Sequence, residues 1–331
     1  MPGESIPASI RVVENFGGRK ALMSSHREPG SIRVWDERKG GVAVVEISPP
    51  KNRAILSFDV SSDGAMLAGG TDLQSDDASI FYWDPRNTSK TLHVHSSTHS
   101  DDITALNFHP TSPRTLLSAS TDGLLSTSDA LEPDEDETGQ EVANWGCSIA
   151  KAGWYSSGSQ GEYNIWASSD METFGLWKGD LDVLADFGDN RQLSLPNQWS
   201  TDYLVDVCDF SNGSGPLGIS GLTMFLGSNS GDVAITSISN PATTSQSLTI
   251  RGFLRGGHAD AIVRSILWDS TNGVLLTGDE TGRLAAWRPA TTNTDSDGDV
   301  EMEDDEPANA GSKRTRKGDQ TEQPKRRKTR E

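Results

Sequence analysis

The stretch THSDDITALNFHPTSPRTLLSASTDGLLSTSD, residues 98–129, decides the architecture of this chain. Within it ITALNF (103–108) and RTLLSAS (114–120) alternate apolar with polar residues. LLSTSD (124–129) ends the run, and Thr121-Asp122-Gly123 stands before it. Alternation of period two over five or six residues marks strands buried on one face, and Asp-Gly marks a tight hairpin. Three short antiparallel strands follow a His99-Ser100-Asp101-Asp102 lead, and no helical period competes with them.

The same plan recurs on both sides. Residues 258–287 give His258, IVRSILW, GVLLTG, Thr281-Gly282 and RLAAW; residues 54–84 give AILSFDV, Asp63-Gly64, MLAGG and SIFYWD. Six closing segments line up: SIRVWD (31–36), SIFYWD (79–84), LLSTSD (124–129), TFGLWK (173–178), VAITSI (233–238) and RLAAWR (283–288). Their reference positions are Trp35, Trp83, Ser128, Trp177, Ser237 and Trp287, spaced 48, 45, 49, 60 and 50 residues apart. A four-stranded propeller blade repeats every ~40–45 residues, with insertions falling in loops. One blade cannot bury both faces of its sheet, so blades stack radially. The expected fold is an all-β propeller over residues 8–290, with six repeats visible.

These strings resemble the WD40 family, and the Gly257-His258 and Trp-Asp pairs carry the resemblance. It implies a buried hydrogen-bonded tetrad of His, Ser/Thr, Asp and Trp in each well-formed blade. Unit three matches at His99, Ser118 and Asp122, with Ser128 where Trp is implied. Unit six matches at His258, Thr277 and Trp287, with Thr281 in place of Asp. Units four and five are degenerate and expected to be less rigid. A closer resemblance is to the WD repeat-containing protein 89 family, carried by AILSFDV, ASIFYWDPR (78–86), THSDDITALNFHP (98–110) and GGHADAIVRSILW (256–268). That family implies seven blades, whereas six units are counted here, the first at about residues 8–36, so the chain reads either as a six-bladed variant or as one that begins a blade late, with the N-terminal blade absent.

The motifs of catalysis are missing. No GxSxG, GxxxxGK[ST] or HExxH string occurs, so the chain is expected not to be an enzyme and to need no cofactor. A propeller enzyme would require a deep central pocket with converging titratable groups. His93 and His95 alternate with Val94, but no third ligand stands at a suitable spacing, so no metal site is expected. Cys147 and Cys208 are far apart and outside any CxxC pair; they read as buried free thiols. No run approaches the ~20 apolar residues of a membrane span. Neither does the start carry a signal-peptide pattern, so a cytosolic or nuclear protein is expected.

Charge is more informative. The net charge is −19, from 48 acidic and 29 basic residues. Residues 291–331 hold 11 and 9 of these, leaving 37 acidic and 20 basic in the body. An acidic body repels phosphate backbones and favours a basic partner, such as a ribosomal protein or histone. Asp76, Asp77, Asp101, Asp102, Asp122, Asp260, Asp279 and Glu280 fall in loops that a propeller gathers on one face. They read either as a binding face or as ordinary turns, which Asp favours for its own reasons. Trp35-Asp36-Glu37-Arg38 and Trp83-Asp84-Pro85-Arg86 both fit W-D-x-R. That string resembles the motif by which WD40 receptors dock on the cullin-4 ubiquitin ligase adaptor. Arg38 and Arg86 are thus either an adaptor contact or a coincidence of a short pattern.

EPDEDE (132–137) reads as a solvated acidic loop. From about Thr291 the strand signals stop, and residues 291–331 are expected to be a disordered tail. Two basic clusters there, Lys313, Arg314, Arg316 and Lys317, then Lys325, Arg326, Arg327 and Lys328, suit a bipartite nuclear import signal. The composite expectation is a non-catalytic scaffold in the nucleus, or its nucleolus, with a cytoplasmic pool and an import receptor among its partners.

Overall fold

A computed structural model describes residues 6–75, 77–158, 161–193, 195, 199–211, 215–239, 241 and 247–289, and the backbone of 302–304. Asp76 and both basic clusters lie outside the described residues. The chain is a six-bladed β-propeller of four-stranded antiparallel sheets, with no α-helix among the described residues. Each blade runs in sequence order from the central channel outward.

Blade one is β1 (Pro7–Phe16), β2 (Arg19–His26), β3 (Ser31–Trp35) and β4 (Ala43–Ile47). Blade two is β5 (Ile55–Val60), β6 (Leu67–Thr71), β7 (Ala78–Asp84) and β8 (Asn87–His99). Blade three is β9 (Ile103–Phe108), β10 (Thr115–Ser120), β11 (Leu124–Asp129) and β12 (Glu141–Asn144). Blade four is β13 (Ile149–Ser156), β14 (Tyr163–Ser169), β15 (Thr173–Trp177) and β16 (Val183–Asp189). Blade five is β17 (Tyr203–Asp209), β18 (Leu222–Gly227), β19 (Val233–Ser239) and β20 (Ser247–Leu254). Blade six is β21 (Val263–Asp269), β22 (Val274–Asp279), β23 (Leu284–Pro289) and β24 (Met302–Asp304).

Met302–Asp304 pairs with β23, Trp287 opposite Asp304 and Pro289 opposite Met302, although it lies in the acidic stretch assigned to the tail. An outer strand is an edge: it is held by backbone hydrogen bonds and tolerates charged side chains, so its composition does not announce it.

Apolar residues facing both ways explain the stacking. Met23, Ile32 and Val34 of blade one join Phe58, Leu67 and Trp83 of blade two in one buried cluster. Ile80 and Tyr82 of blade two meet Leu106, Phe108 and Leu116 of blade three in the next. Hydrogen bonds between inner strands stitch successive blades. Ser57 Oγ donates to the Ile103 carbonyl at 2.8 Å, Thr104 Oγ1 to Ile149 at 2.7 Å, and Lys151 Nζ to Val205 at 2.6 Å. Val263 N–H donates to the Tyr203 hydroxyl at 2.9 Å. Arg11 on β1 pairs with Asp59 on β5 at 3.0 Å and reaches Asn107 on β9. Burial pushes the Asp59 carboxyl up, against the opposing pull of Arg11.

Because each blade is an up-and-down meander, loops joining second to third strands emerge at the same end as the inter-blade loops. The other two kinds of turn emerge at the opposite end. This assigns every candidate binding residue to one end or the other.

Candidate functional site

Blade six carries a complete buried tetrad. His258 Nε2 lies 2.6 Å from Thr277 Oγ1, Trp287 Nε1 donates to that oxygen at 2.8 Å, and His258 Nδ1 lies 2.8 Å from Asp279 Oδ2. Thr281 does not leave the acid position vacant, as the register of the repeat suggests. Asp279, two residues earlier, takes the role and accepts from the Thr281 hydroxyl and amide. Asp279 therefore belongs to the interior and not to the binding face. Burial raises its pKa, but the hydrogen bonds from Thr281 and His258 outweigh that and hold the carboxyl well below the usual range.

In blade three His99 Nε2 lies 2.8 Å from Ser118 Oγ and Nδ1 lies 3.2 Å from Asp122 Oδ2. Ser128 occupies the Trp position, so that chain of bonds ends at Ser118. Blade one holds a shorter relay that the sequence reading missed: Trp35 Nε1 donates to Ser24 Oγ at 2.7 Å, which lies 2.8 Å from His26 Nε2. Its signal was present, since His26 follows Ser24 by two residues as Asp279 follows Thr277. In blade four Trp145 packs edge-on against Trp177, centroids 5.1 Å apart, and Ala167 replaces the hydroxyl residue. In blade five the ladder aligns Thr236, not Ser237, with Trp287, and Leu226 takes the hydroxyl position. Apolar packing replaces the polar relay there, since a hydrocarbon needs no partner when buried.

The loops of the inter-blade end sort the candidate acids by occupation. Asp102 Oδ1 accepts from Leu73 N–H at 2.8 Å, tying the β6–β7 loop to blade three. Asp122 accepts from Ser100 and Leu124 amides besides His99. Glu280 pairs with Arg264 at 3.2 Å. Asp77 and Asp260 are exposed and Asp101 is half-exposed, and none of the three forms a salt bridge among the described residues. Asp170, Glu172, Asp202 and Asp232 stand in equivalent loops and extend the acidic character around that end. Between blades one and two the same end holds a cavity of about 550 Å³ lined by Arg27, Glu28, Pro29, Asn52, Ala54, Asp72 and Gln74.

Arg38 and Arg86 project at the opposite end. Asp36 accepts from the Arg38 amide, Nε and Nη2 at 3.0, 2.9 and 2.7 Å, and Asp84 holds Arg86 in the same fork. The Arg38 hydrogen bonds bring the Asp36 carboxyl down to about 2. Asp189 grips Arg191 in an identical fork, at the other end and with no Trp before it. The clamp is thus a local habit of Asp-x-Arg turns.

The acidic insert is not simply solvated. Glu135 accepts from Ser96 and Ser97 amides at 2.8 and 3.0 Å and from Thr98 Oγ1 at 2.6 Å. His93 and His95 place their Nε2 atoms 3.0 and 2.9 Å from the Ala130 and Glu132 carbonyls. Both imidazoles therefore fasten the insert to β8. Burial, then the neighbouring His95, pushes the His93 pKa down. No group of three or more His, Cys, Asp and Glu able to hold a metal ion occurs among the described residues. Cys147 and Cys208 are free and half-buried rather than fully buried, and burial pushes the Cys208 thiol up to about 12.

Two expected outcomes follow from this geometry. Glu135→Ala removes charge-assisted hydrogen bonds worth about 1–3 kcal/mol, and limited proteolysis should then cut 130–139 faster while the melting of the blades is unchanged. Depressed carboxylates stabilise the fold above the ordinary carboxylate range and lose that contribution as pH falls through their folded values. Asp279→Asn should accordingly flatten the fall of stability between pH 4 and pH 2 in urea melts, while lowering stability at pH 7.

The WD40 family, described as WD domain, G-beta repeat, matches residues 88–126. WD repeat-containing protein GTS1 of Arabidopsis thaliana is 31% identical over 280 residues, covering 81% of this chain and 66% of that protein. The WD repeat-containing protein 89 homolog of Dictyostelium discoideum is 26% identical over 266 residues, 80% of this chain and 67% of that one. An uncharacterized WD repeat-containing protein of Saccharomyces cerevisiae is 33% identical over 184 residues, 54% of this chain and 44% of its own. The chain thus spans between less than half and about two thirds of the length of these relatives. Among solved structures, the β-propeller domain of Swd1 from Myceliophteria thermophila matches with a TM-score of 0.61 at 11% identity, over 86% of this chain and 84% of that one. That likeness concerns the fold alone. WD40 propellers are generally non-catalytic platforms for protein interaction, and the tetrad of blade six, the three-membered relay of blade three, the family match and the relatives together show that this chain belongs to the WD40-repeat proteins.

Proposed function

We propose that this chain is a non-catalytic interaction scaffold of the nucleus, which holds basic protein partners such as ribosomal proteins or histones. The contact surface is the propeller end bearing the inter-blade loops. One observation carries the reading: Asp77, Asp101 and Asp260 present carboxylates at that end without a salt bridge among the described residues, while their neighbours are committed to holding loops. Such a surface steers a cationic partner and fixes its register, with an association rate that falls as salt rises.

The test is binding of a lysine-rich histone-tail peptide to the full chain. Reversing Asp77, Asp101 and Asp260 to Lys should weaken binding about tenfold or more, roughly 1.4 kcal/mol per decade, with no change in melting. Unchanged affinity would defeat the reading. Nuclear entry is assigned to the clusters at 313–317 and 325–328 through an import receptor. A tagged chain lacking 313–328 should then shift to the cytoplasm, and an unaltered distribution would refute that assignment.

A second reading, docking on the cullin-4 ligase adaptor, draws support from Arg38 and Arg86 standing exposed at one end of adjacent blades in the same geometry. Recovery of that adaptor in proximity labelling, and its loss on Arg38→Glu with Arg86→Glu, would favour it. The fork seen at Asp189–Arg191 weighs against it.

A further inference from the structure

Three loops meet at the cavity between blades one and two. Arg27 and Glu28 come from the β2–β3 loop, Asn52 from the inter-blade loop, and Asp72 and Gln74 from the β6–β7 loop. Its volume of about 550 Å³ falls within the roughly 300–1,000 Å³ of small-ligand sites. The walls are firm. Gly30 packs so closely on the Arg53 carbonyl that an added Cβ would strike it. Arg53 is buried, and its guanidinium gathers the Asp72 and Asp77 carbonyls and Ser79 Oγ. Lys51 and Asn52 hold φ of +65° and +51°. Side chains keep that left-handed backbone where the surroundings impose it, and such strain gathers at ligand clamps.

The charges of the cavity are not balanced. Asp72 Oδ1 is shut away from water and has no hydrogen-bond partner among the described residues. Neither Asp72 nor Glu28 forms a salt bridge among them, and Arg53 gives its bonds to carbonyls and a hydroxyl instead. A carboxylate denied both water and donors on one oxygen is an under-compensated charge. It attracts a cation beside it more strongly than an open surface does, because less water screens the pair. Arg27 is the single cation of the lining, and it is exposed, so an anion is the poorer occupant.

We propose that this cavity takes one cationic side chain, a lysine or an arginine, of the basic partner, with the Asp72 and Glu28 carboxylates as its counter-charges. The assignment rests on the reading of this end as the surface for a basic protein and deepens it. Exposed Asp77, Asp101 and Asp260 steer the partner, whereas the cavity anchors it, as a seated side chain contributes more than its exposed neighbours. The 72–77 loop joins the two roles, since it carries Asp72 and Gln74 on the cavity wall and Asp77 outside.

The test uses the full chain and small probes, so it needs no protein partner. Nα-acetyl-lysine amide and Nα-acetyl-arginine amide, followed by saturation-transfer NMR, should each bind in the millimolar range. Tighter binding of either one supports the assignment and names the residue that the partner presents. The neutral Nα-acetyl-norleucine amide should bind about tenfold more weakly, for want of a charge-assisted contact. Asp72→Asn keeps the shape and removes the charge, and should weaken both cations about tenfold. Glu28→Gln should weaken them several-fold, and Arg27→Ala should strengthen them by removing a like charge. Both of those side chains are exposed, so these two variants carry the test even if Asp72→Asn melts early. Asp182→Asn, on blade four at the opposite end, should change nothing. Three results would overturn the proposal: no transfer to either cation, as from a cavity that holds only water; norleucine bound as tightly as lysine; or weaker binding on Arg27→Ala, which would make this an anion site. Silent probes beside a histone-tail peptide still weakened by reversing Asp77, Asp101 and Asp260 defeat the cavity alone. Bound probes beside an unchanged peptide affinity defeat the wider surface alone.

Discussion

Replacing His258 by alanine should lower the stability of the propeller by about 2–5 kcal/mol, since it leaves a buried carboxylate and a buried hydroxyl each short of a hydrogen-bond partner. The imidazole is 2% exposed and touches two buried groups, Thr277 Oγ1 and Asp279 Oδ2. Without it the Asp279 carboxylate keeps its bonds from Thr281 and Arg283 but loses its only ring partner, and Thr277 retains only the indole of Trp287. At ~2.1 cal/mol/K of unfolding entropy per residue, 1 kcal/mol shifts the melting temperature of a propeller this large by roughly 1.5 °C, so calorimetry should register a fall of about 3–8 °C. His99→Ala is the internal comparison. Its Asp122 contact is longer, at 3.2 Å, and no Trp closes the relay, so the loss there should be smaller. Equal losses at both sites would mean that the Trp287 indole adds nothing to the blade-six relay.

A comparably large effect is expected from Gly30→Ala, for a steric reason. A Cβ at Gly30 would lie 1.7 Å from the Arg53 carbonyl oxygen and 2.4 Å from its carbon. Backbone cannot yield as a flexible side chain does, so the inter-blade loop must move, at about 3 kcal/mol or more. That loop is not idle. Arg53 is buried, donates to Ser79 Oγ at 2.7 Å and to the Asp72 carbonyl at 3.2 Å, and also holds the Asp77 carbonyl. Displacing it should loosen the 72–77 loop that presents Asp77, so binding of a basic peptide should weaken together with the melting temperature. Gly256→Ala is the control: its φ is +78° but nothing lies within 4 Å of the added carbon. It should cost only the ~1–2 kcal/mol of a left-handed backbone. If Gly30→Ala melted no lower than that control, the tight junction between blades one and two would be refuted.

Six repeats, their strand faces and their hairpins were legible in the residues alone, because period-two burial and Asp-Gly turns are local properties written within each 45–60 residues. The tetrad His, Ser/Thr and Trp positions of blades three and six came from the resemblance to the WD40 family, and the relay of blade one was not seen. The acid of blade six could not. Thr281 holds the expected register, and only the folded loop shows Asp279 turned inward under the His258 ring. Which acids hold loops and which stand unpaired was likewise invisible, since Asp102 is occupied by an amide 29 residues away in another blade.

The sequence by itself determined that this chain builds blades, since alternation of side chains decides locally which faces must be buried. Only the tertiary structure decided which faces find a cover. Leu22 and Leu116 follow the same pattern, yet one is exposed and the other sealed. Burial is a property of the neighbour, and the neighbour of a blade lies a whole repeat away along the chain.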